Sequence, residues 1–453
     1  MSFSTYPAYK DSGVEWLGEV PEHWAVHPLK RAIERIESGT SVNAADFPAE
    51  PGSLGVLKTS CVYTGKFDWA ENKTVDDEDL SRVSCPLRKD TLIVSRMNTP
   101  DLVGATGLVT EAPNGIFLPD RLWQVYFLAN HSPEFLFYFT KSREYREQVK
   151  MACSGTSASM QNLGQDDFRG LLFAEPPKPE QTQVARFLDH ETARIDALIE
   201  EQQRLIELLK EKRQAVISHA VTKGLDPTVP MKESEISYLD KSPIHWRLKR
   251  LGDVVAFAQG KAHEPYIDDD GDFICVNSRF VSTEGKTQKY CSVNLTPASV
   301  NDILMVMSDL PNGRALARAY YVIENGRLAV NQRVCRITAE QANSRFLFYL
   351  LNRHPGLMQN DDGVNQTHLS NSDFQKLRIF LPPLSEQLKI AHYLDHVTVR
   401  IDSLISEAVI GVGLLQERRS ALISAAVTGK IDVRGWQPPA STQTPEFEVA
   451  EAH

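Results

Sequence analysis

Two segments of the chain carry apolar residues at seven-residue spacing, the spacing of a coiled-coil helix. The positions at this spacing are Leu188, Ile195, Gln202, Leu209 and Val216 in the first segment and Leu394, Ile401, Ala408, Leu415 and Leu422 in the second. Leu198, Leu205 and Leu404 fill intervening d-type positions. A Pro-Pro pair precedes each segment and a glycine lies near its end, which are helix start and stop signals. The pattern predicts two long helices, at 181–226 and 387–435, that pair as an antiparallel coiled coil.

The second of these segments repeats the first at an offset of 206 residues. The first contains FLDHETARIDALI at Phe187–Ile199, and the second contains YLDHVTVRIDSLI at Tyr393–Ile405. A P-x-H-W motif opens each half of the chain and includes Trp24 in one half and Trp246 in the other. We interpret both tryptophans as framework core. An internal repeat of this kind predicts that one architectural unit occurs twice, with an internal pseudo-twofold relation.

The regions before the two helices show mixed signals. Apolar runs of β type occur in DTLIVSR and DILMVMS, and SPEFLFYFTKSREYREQV has helical periodicity. We therefore predict an α+β chain with two globular mixed α/β domains that alternate with the helices. The predicted domains are residues 1–180 and 227–386, and residues 436–453 form a polar, Pro-rich tail that we expect to be disordered.

Composition excludes several classes of protein. The 453 residues are 42% hydrophobic with a formal charge of −10, so the chain is not a basic nucleic-acid coat. We expect a cytoplasmic protein, because no run is long enough to span a bilayer and the first residues lack a signal-peptide pattern. Six cysteines without a CxxC pair indicate reduced thiols.

Motifs for catalysis and cofactor binding were not recognised. The chain has no Walker loop, no GxGxxG, no HExxH and no GxSxG. Acidic clusters are interpreted as solvated loops. No two histidines are expected to pair at the spacing of metal ligands on a helix, and His190 and His396 are interpreted as interface or solvent residues. The sequence therefore predicts no catalytic residue, no metal site and no cofactor bound by this chain.

The doubled P-x-H-W, PPxxEQ and LDHxTxRIDxLI motifs closely resemble those of specificity subunits of type I restriction–modification systems. The resemblance extends to about Gly435. It implies two target-recognition domains, each reading one half of a bipartite site in double-stranded DNA. It also implies docking of two copies of a modification (methyltransferase) subunit and of restriction (endonuclease/translocase) subunits. S-adenosylmethionine, ATP and Mg²⁺ are then expected on the partner subunits.

Candidate DNA-binding residues lie in divergent polar loops that follow the β-type runs. Arginine suits guanine edges, and asparagine or glutamine suits adenine. The candidates are Arg96, Asn98, Arg121, Gln161, Asn162, Asn312, Arg314, Arg333, Gln366 and Thr367. Arg121 and Arg333 occupy matched positions in the two halves, which favours a shared role at the DNA backbone over sequence reading.

Candidate partner and coiled-coil interface residues lie in the repeated helical segments. They are Leu188, Arg194, Ile195, Asp196, Leu198, Leu209, Leu394, Arg400, Ile401, Asp402, Leu404 and Leu415. The repeated RID triplet is interpreted as a docking signature, and the alternative is an ordinary helical seam flanked by charges. For the whole chain the alternative function is a coiled-coil scaffold or adaptor that does not read DNA. A nuclease or methyltransferase in its own right is disfavoured by the missing motifs.

Overall fold

The computed structural model describes residues 4–157, 160–308, 315–359 and 367–438. They form two compact units. Unit 1 takes the chain up to Gln203 and again from Ile410 onward, and unit 2 takes Arg204–Val409. Both boundaries lie inside a long helix, so each unit contains one segment of both long helices.

Unit 1 contains fifteen strands and three short helices in its described residues, and the first long helix begins there. The strands are β1 Tyr9–Asp11, β2 Glu19–Pro21, β3 Ala25–Pro28, β4 Ile33–Ser38, β5 Ala44–Ala45, β6 Gly55–Leu57, β7 Asn72–Val75, β8 Leu92–Ser95, β9 Met97–Asn98, β10 Thr106–Leu108, β11 Ile116–Phe117, β12 Leu122–Phe127, β13 Ser154–Ser157, β14 Met160–Asn162 and β15 Leu172–Glu175. The helices are α1 Pro133–Phe139, α2 Arg143–Ala152, α3 Gln165–Gly170 and α4 Lys178–Lys223.

Unit 2 contains the rest of α4, followed by eleven strands and five helices among the described residues. The strands are β16 Met231–Ile236, β17 Leu239–Pro243, β18 Arg247–Arg250, β19 Val255–Gln259, β20 Phe273–Val276, β21 Tyr290–Cys291, β22 Ile303–Val306, β23 Ala319–Tyr321, β24 Leu328–Val330, β25 Val334–Ala339 and β26 Arg378–Leu381. The helices are α5 Ser278–Ser282, α6 Ser344–Leu351, α7 Pro355–Met358, α8 Asn371–Lys376 and α9 Leu384–Val427, the last of which continues into unit 1.

The sheets of the two units have corresponding strand orders. Unit 1 has a four-stranded antiparallel sheet in the order β10-β8-β12-β4, and unit 2 has β23-β22-β25-β19. A second sheet in each unit includes one parallel pair, β6 with β11 and β20 with β24. The two predicted β-type runs are confirmed as β8 and β22, and all four residues of each are buried at the centre of their sheets. The fold is therefore mixed α and β.

The predicted helical patch at 132–149 contains two helices, α1 and α2, where the sequence suggested one periodic stretch. Ser132 and Ser142 each accept a hydrogen bond from the backbone N–H three residues later. A serine at this position caps a helix N-terminus, so Ser142 starts a new helix after the turn that ends α1. Both segments contribute aromatic residues to the core of unit 1.

The first turn of α4 is attached to the opening motif of unit 1 by one carboxylate. Glu180 is 8% exposed, and its Oε1 accepts hydrogen bonds from the Tyr6 hydroxyl at 2.6 Å and Trp24 Nε1 at 3.0 Å. His23 Nε2 lies 2.8 Å from the other oxygen, Oε2. Burial, and then the hydrogen bond to Glu180, raise the pKa of Tyr6, so this hydroxyl stays a donor. The prediction that Trp24 is framework core is confirmed, because its side chain is fully buried.

The same attachment recurs in unit 2. Glu386 Oε1 accepts from Trp246 Nε1 at 3.2 Å, and its Oε2 lies 2.7 Å from His245 Nε2. Trp246 is 1% exposed, which confirms its assignment to the core. The P-x-H-W motif and the glutamate of PPxxEQ thus bind each other within each unit.

The glutamine of PPxxEQ connects the long helix to a short helix of the same unit. In unit 1 Gln181 Oε1 accepts from the backbone N–H of Ser132 at 2.9 Å, and its Nε2 donates to Pro176 O at 2.9 Å. In unit 2 Gln387 makes the same two hydrogen bonds, to Asn343 N at 2.8 Å and Pro382 O at 2.9 Å. Both glutamine side chains are buried with their polar atoms paired, as buried amides require.

The long helices begin three residues before the predicted positions. Helix α4 has 46 residues and α9 has 44. Pro179 lies in the first turn of α4, where a missing N–H leaves no helical hydrogen bond unmade. Gly224 and Gly429 follow the two helices with φ of +79° and +73°, the left-handed conformation that ends many helices.

The predicted heptad seam of the long helices is wrong at its d-type positions, whereas its a-type positions are buried or half-buried. Leu198 and Leu404 are 40% and 43% exposed. The apolar residues that are buried or half-buried at eleven-residue spacing are Val184, Ile195, Ile206 and Ile217 in α4 and Ile390, Ile401, Val412 and Ile423 in α9. Eleven residues over three turns give 3.67 residues per turn, close to the 3.6 of a straight helix, so these positions stay on one face without left-handed supercoiling. Ile195 and Ile401 belong to both patterns, which is why the sequence identified them correctly as buried.

The tail predicted at 436–453 is attached at its start. The Trp436 ring packs edge-on against Phe187, with 5.3 Å between the ring centroids. Gln183 Nε2 donates to the carbonyls of Val433 at 3.1 Å and Trp436 at 2.6 Å. Residues 439–453 lie outside the described residues. All six cysteines are free thiols, in agreement with the prediction.

The burial pattern predicts that Ile195→Asp destabilises unit 1 much more than Leu198→Asp does. Ile195 is 3% exposed, and an unpaired carboxylate there costs about 3 kcal/mol or more, whereas Leu198 already contacts water. Thermal and chemical unfolding of the full chain would measure both variants, with Ile401→Asp and Leu404→Asp as the pair for unit 2. Equal losses for the members of a pair would contradict the eleven-residue seam.

Candidate nucleic-acid interface

The candidate loops of unit 1 come together beside a three-stranded sheet, β13-β14-β9. In this sheet Gln161 is the register partner of Asn98, and Asn162 is the partner of Met97. Arg96 lies between β8 and β9. These residues were selected from two separate loops that are far apart in sequence, and they are adjacent in the fold.

Backbone hydrogen bonds fix the position of Arg96. Its N–H donates to Arg121 O at 3.1 Å, and its carbonyl accepts from Leu163 N at 2.9 Å. The Arg121 side chain is exposed, so Arg121 contributes a carbonyl to the framework and a guanidinium to the surface. The end of β8 is thereby attached to both of its neighbouring segments.

Asn98 is a framework residue, and its selection as a base-reading side chain is corrected. Its side chain is only 8% exposed. Its Nδ2 donates to the Tyr63 hydroxyl at 2.7 Å and to Ser95 Oγ at 3.1 Å, and its Oδ1 accepts from Thr99 N at 2.9 Å. A buried amide with both ends paired has little capacity left for a base edge.

Tyr63 is the exposed group of this cluster, and the sequence analysis did not select it. Its ring is 38% exposed, and its hydroxyl is held by Asn98 and by Thr59 Oγ1 at 2.8 Å. An exposed aromatic ring with a fixed hydroxyl suits stacking or hydrogen bonding. Nothing in the local sequence marks Tyr63, because its partner Asn98 is 35 residues away.

Two polar atoms at the sheet have no hydrogen-bond partner among the described residues. Arg96 Nε and Asn162 Oδ1 are buried, and no described residue hydrogen-bonds them. One is a donor and the other an acceptor, the two kinds of group that base edges require. Gln161 is half-buried at the same place. The cluster of Tyr63, Arg96, Gln161 and Asn162 is therefore the candidate reading surface of unit 1.

Unit 2 repeats the backbone framework of this site. Met307 N donates to Arg333 O at 2.9 Å, and Met307 O accepts from Leu369 N at 2.7 Å, the counterparts of the two bonds at Arg96. Ser308 forms a β-bridge with His368, as Met97 does with Asn162. The Arg333 side chain is exposed. The main-chain carbonyls of the matched arginines thus accept equivalent hydrogen bonds in both units, and the role of their side chains at the DNA backbone stays a prediction.

The remaining candidates of unit 2 are mostly outside the described residues. Asn312, Arg314 and Gln366 fall there, and Thr367 is half-buried next to the bridging His368. These selections remain predictions.

Several residues of the repeated helical phrase bind their own unit. In unit 1 the Tyr138 hydroxyl donates to Asp189 Oδ1 at 2.7 Å and lies 3.3 Å from Thr192 Oγ1. In unit 2 Tyr349 makes the same contacts, with Asp395 at 2.7 Å and Thr398 at 3.3 Å. The Asp and Thr of LDHxT are therefore explained by packing of the FLFY helix on the long helix. Leu188 and Leu394 of the same phrase are fully buried.

The RID triplet contains three different environments. Ile195 and Ile401 are buried, and the aspartates form ion pairs between the two long helices. Asp196 Oδ1 accepts from Arg419 Nε at 2.7 Å in unit 1, and in unit 2 Asp402 Oδ1 lies 2.8 Å from Arg213 Nε. In each unit the contacting helix segments run antiparallel, because later residues of α4 meet earlier residues of α9.

The arginines of the triplet face away from these contacts. Arg194 is 56% exposed with only a 3.9 Å approach to Glu191, and Arg400 is exposed as well. The remaining interface candidates, Leu209 and Leu415, are half-buried. The predicted docking role of the RID triplet therefore applies only to its arginines. The exposed Leu198 and Leu404 lie close to them in the sequence.

Lys141 lies near the Asp196–Arg419 pair but is a poor phosphate ligand. Its Nζ donates to Thr106 O at 2.5 Å. Burial, and then the Arg419 guanidinium, lower the pKa of Lys141 to about 7. The folded state therefore disfavours the charged form of this lysine. Lys66 Nζ is exposed and lies 3.9 Å from Asp196.

Metal and membrane features were compared with the predictions. Within the described ranges no three His, Cys, Asp or Glu side chains gather as an ion site. The prediction that no histidines pair at helical ligand spacing is wrong: His392 and His396 are four residues apart on α9, and their Nε2 atoms lie 3.1 Å from each other. No helix in the described part of the chain is long and apolar enough to cross a membrane.

Comparisons with known proteins agree with the fold and the repeated motifs. Residues 243–407 match the family described as type I restriction modification DNA specificity domain. The type I restriction enzyme StySPI specificity subunit of Salmonella potsdam is 23% identical over 442 residues, which cover 91% of this chain and 90% of that subunit.

Two solved structures share the fold. One chain, from a study of complex assembly and conformational transition of the type I R-M system, has a TM-score of 0.70 at 16% identity and covers 90% of this chain and 98% of its own. The HsdS subunit from Thermoanaerobacter tengcongensis has a TM-score of 0.52 at 18% identity, with coverages of 91% and 98%. The matched domain, the similar subunits and the similar structures all come from type I restriction–modification systems. Over most of its length the chain is similar to specificity subunits of these systems.

The hydrogen bonds at the reading surface predict that alanine substitutions at Asn98 and Gln161 lower the free energy of unfolding by different amounts. Asn98→Ala leaves the Tyr63 hydroxyl, Ser95 Oγ and Thr99 N without their common partner and should lower the free energy of unfolding by about 1–3 kcal/mol. Gln161→Ala should change it by less than about 0.5 kcal/mol. Denaturant unfolding of the full chain is the measurement. A stable Asn98→Ala variant would restore Asn98 as a reading residue.

Proposed function

We propose that this chain reads a bipartite site in double-stranded DNA, with one half-site for the reading surface of each unit. The observation that supports the proposal is the shared framework around Arg96 and Met307. In both units a strand end is bonded to an arginine carbonyl and to the leucine that closes a second polar loop. A constant framework with different exposed side chains gives two readers of different specificity.

The proposal includes the arrangement that the repeat predicts. We take α4 and α9 to pair as one antiparallel coiled coil, with an internal pseudo-twofold repeat. The cross-helix pairs at Asp196 and Asp402 support this, since each joins α4 to α9 at positions related by the offset of 206. The pseudo-twofold would present equivalent faces to two identical partners.

The proposed partners carry the chemistry. Two copies of a modification subunit dock on the helices, and restriction subunits join the complex. S-adenosylmethionine, ATP and Mg²⁺ bind those subunits, and this chain contributes the DNA specificity. The same proposal includes a cytoplasmic location, where the chain would meet its DNA.

Mapping of methylated DNA tests the reading function. The chain is co-expressed with its genomic neighbours, and methylated positions are mapped by single-molecule sequencing. We expect one bipartite motif, and no methylation by the chain alone. Gln161→Ala should lower the discrimination between bases by about 1–3 kcal/mol at one base pair of one half-site. The other half-site should be recognised as before.

Arg333→Ala is the matched variant of unit 2. Arg333 is predicted to contact the DNA backbone. Its replacement by alanine should therefore weaken binding to all DNA sequences to a similar extent and reduce the salt dependence of binding. Assembly of the complex without any methylated motif would favour the coiled-coil scaffold instead. Changes in both half-sites from Gln161→Ala would contradict the assignment of one half-site to each unit.

Docking is tested at the exposed arginines of the repeated triplet. Arg194→Glu or Arg400→Glu should each remove one copy of the modification subunit, because buried arginines are frequent hot spots of interfaces. The double variant should lose both copies. Arg204→Glu, an exposed α4 residue outside the phrase, is the control and should bind normally. Mass photometry counts the copies, and unchanged stoichiometry in the double variant would exclude docking at these arginines.

A further inference from the structure

We propose that His392 and His396 form a binding site for a divalent late transition-metal ion of the Zn²⁺, Ni²⁺ and Cu²⁺ class. The two residues are four apart on α9, so their side chains leave the same face of the helix one turn apart. Both side chains are exposed and accessible to an ion from solvent. The inference is independent of the proposed DNA-reading function.

The distance between the two nitrogens fits a shared ion. The Nε2 atoms lie 3.1 Å apart, and the ring centroids are 4.4 Å apart with planes at 67°. Two imidazole nitrogens at about 2.05 Å from one tetrahedral zinc ion are separated by about 3.3 Å. The observed distance is about 0.2 Å shorter than this, so only a small movement of the exposed rings would be needed to hold one ion. Two histidines at i and i+4 on one helix are also the pair that HExxH metalloproteases use.

Packing of α9 within unit 2 holds the helix backbone that carries the pair in place. Leu394 and Thr398 of the same turns are buried in unit 2, which fixes the opposite face of α9. Asp395 is used by Arg345, whose Nε donates to Asp395 Oδ1 at 2.6 Å, so this carboxylate is not a third ligand. Water would complete the coordination.

The site should be weaker than a structural zinc site. It has two protein ligands instead of four. Lys389 lies three residues before His392 and lines the same surface depression, where its charge opposes a cation. Imidazole ligands favour Ni²⁺ and Cu²⁺ over Co²⁺ and Mn²⁺, and Mg²⁺ prefers oxygen ligands.

The matched positions of α4 provide an internal control. Arg186 stands where α9 has His392, and His190 stands where it has His396. The Trp436 ring packs on His190, with 5.3 Å between the ring centroids. The metal-binding pair is therefore a property of α9 at this position of the repeat, and His190→Gln removes an equivalent histidine without affecting the pair.

Calorimetric titration of the full chain with NiCl₂ and with ZnCl₂ tests the proposal. The variants are His392→Gln and His396→Gln, with His190→Gln as the control and Mg²⁺ as the control ion. We expect affinity for Ni²⁺ to fall at least about tenfold in each single variant of the pair and to stay unchanged in the control. Unchanged affinity in either His392→Gln or His396→Gln would overturn the proposal, as would an equal loss in His190→Gln.

Thermal unfolding provides a second measurement on the same proteins. An ion that binds the folded chain raises the unfolding midpoint with ion concentration. The wild-type chain and His190→Gln should show this rise with Ni²⁺, and the two variants of the pair should lack it. The same rise in all four proteins would place the bound ion elsewhere and would contradict the assignment.

Discussion

A carboxylate at the start of each long helix is the contact on which the two units depend. Glu180 is buried among a tyrosine, a histidine and a tryptophan, and Glu386 accepts from the matched histidine and tryptophan. Removing a carboxylate from water costs several kcal/mol unless hydrogen bonds replace the water. The opening motif supplies these bonds from more than 130 residues away in sequence, so each globular region is attached to its own helix.

This contact changes the meaning of the repeated motifs. Repetition suggested docking faces for two identical partners, yet most repeated side chains bind within their own unit. Asp189 and Thr192 hold Tyr138, and Asp196 pairs with Arg419. The exposed arginines of the triplet are the part of the phrase that these internal contacts leave for partners. Most of the repeated residues are therefore explained by contacts that stabilise each unit. Only the exposed arginines require another explanation, such as partner binding.

The sequence alone predicted the features that depend on local pattern. Buried strands were evident as apolar runs, and both framework tryptophans could be identified because they lie in a shared motif ahead of divergent sequence. The helical seam was assigned wrongly at Leu198 because short stretches satisfy both seven- and eleven-residue spacing. The a-type positions of the seven-residue spacing and the positions of the eleven-residue spacing are all buried or half-buried, and only the leucines assigned to d-type positions are exposed.

Features that depend on distant partners were not predictable in this way. Asn98 was predicted to contact a base, but its side-chain amide is hydrogen-bonded to Tyr63 and Ser95. Tyr63 had no local signal, since its environment is created by strands from elsewhere in the chain. The His392–His396 pair is a local feature of the sequence, and the prediction that no histidines pair at helical ligand spacing was wrong there.

The account rests on the claim that the opening motif holds the long helix. A double-mutant cycle on Trp24→Phe and Glu180→Ala, measured by unfolding of the full chain, tests this claim most directly. We predict that the two single variants are destabilised and that their coupling energy is about 1–3 kcal/mol. Additive effects with a coupling energy near zero would contradict the account and return the motif to a role in binding DNA or partner subunits.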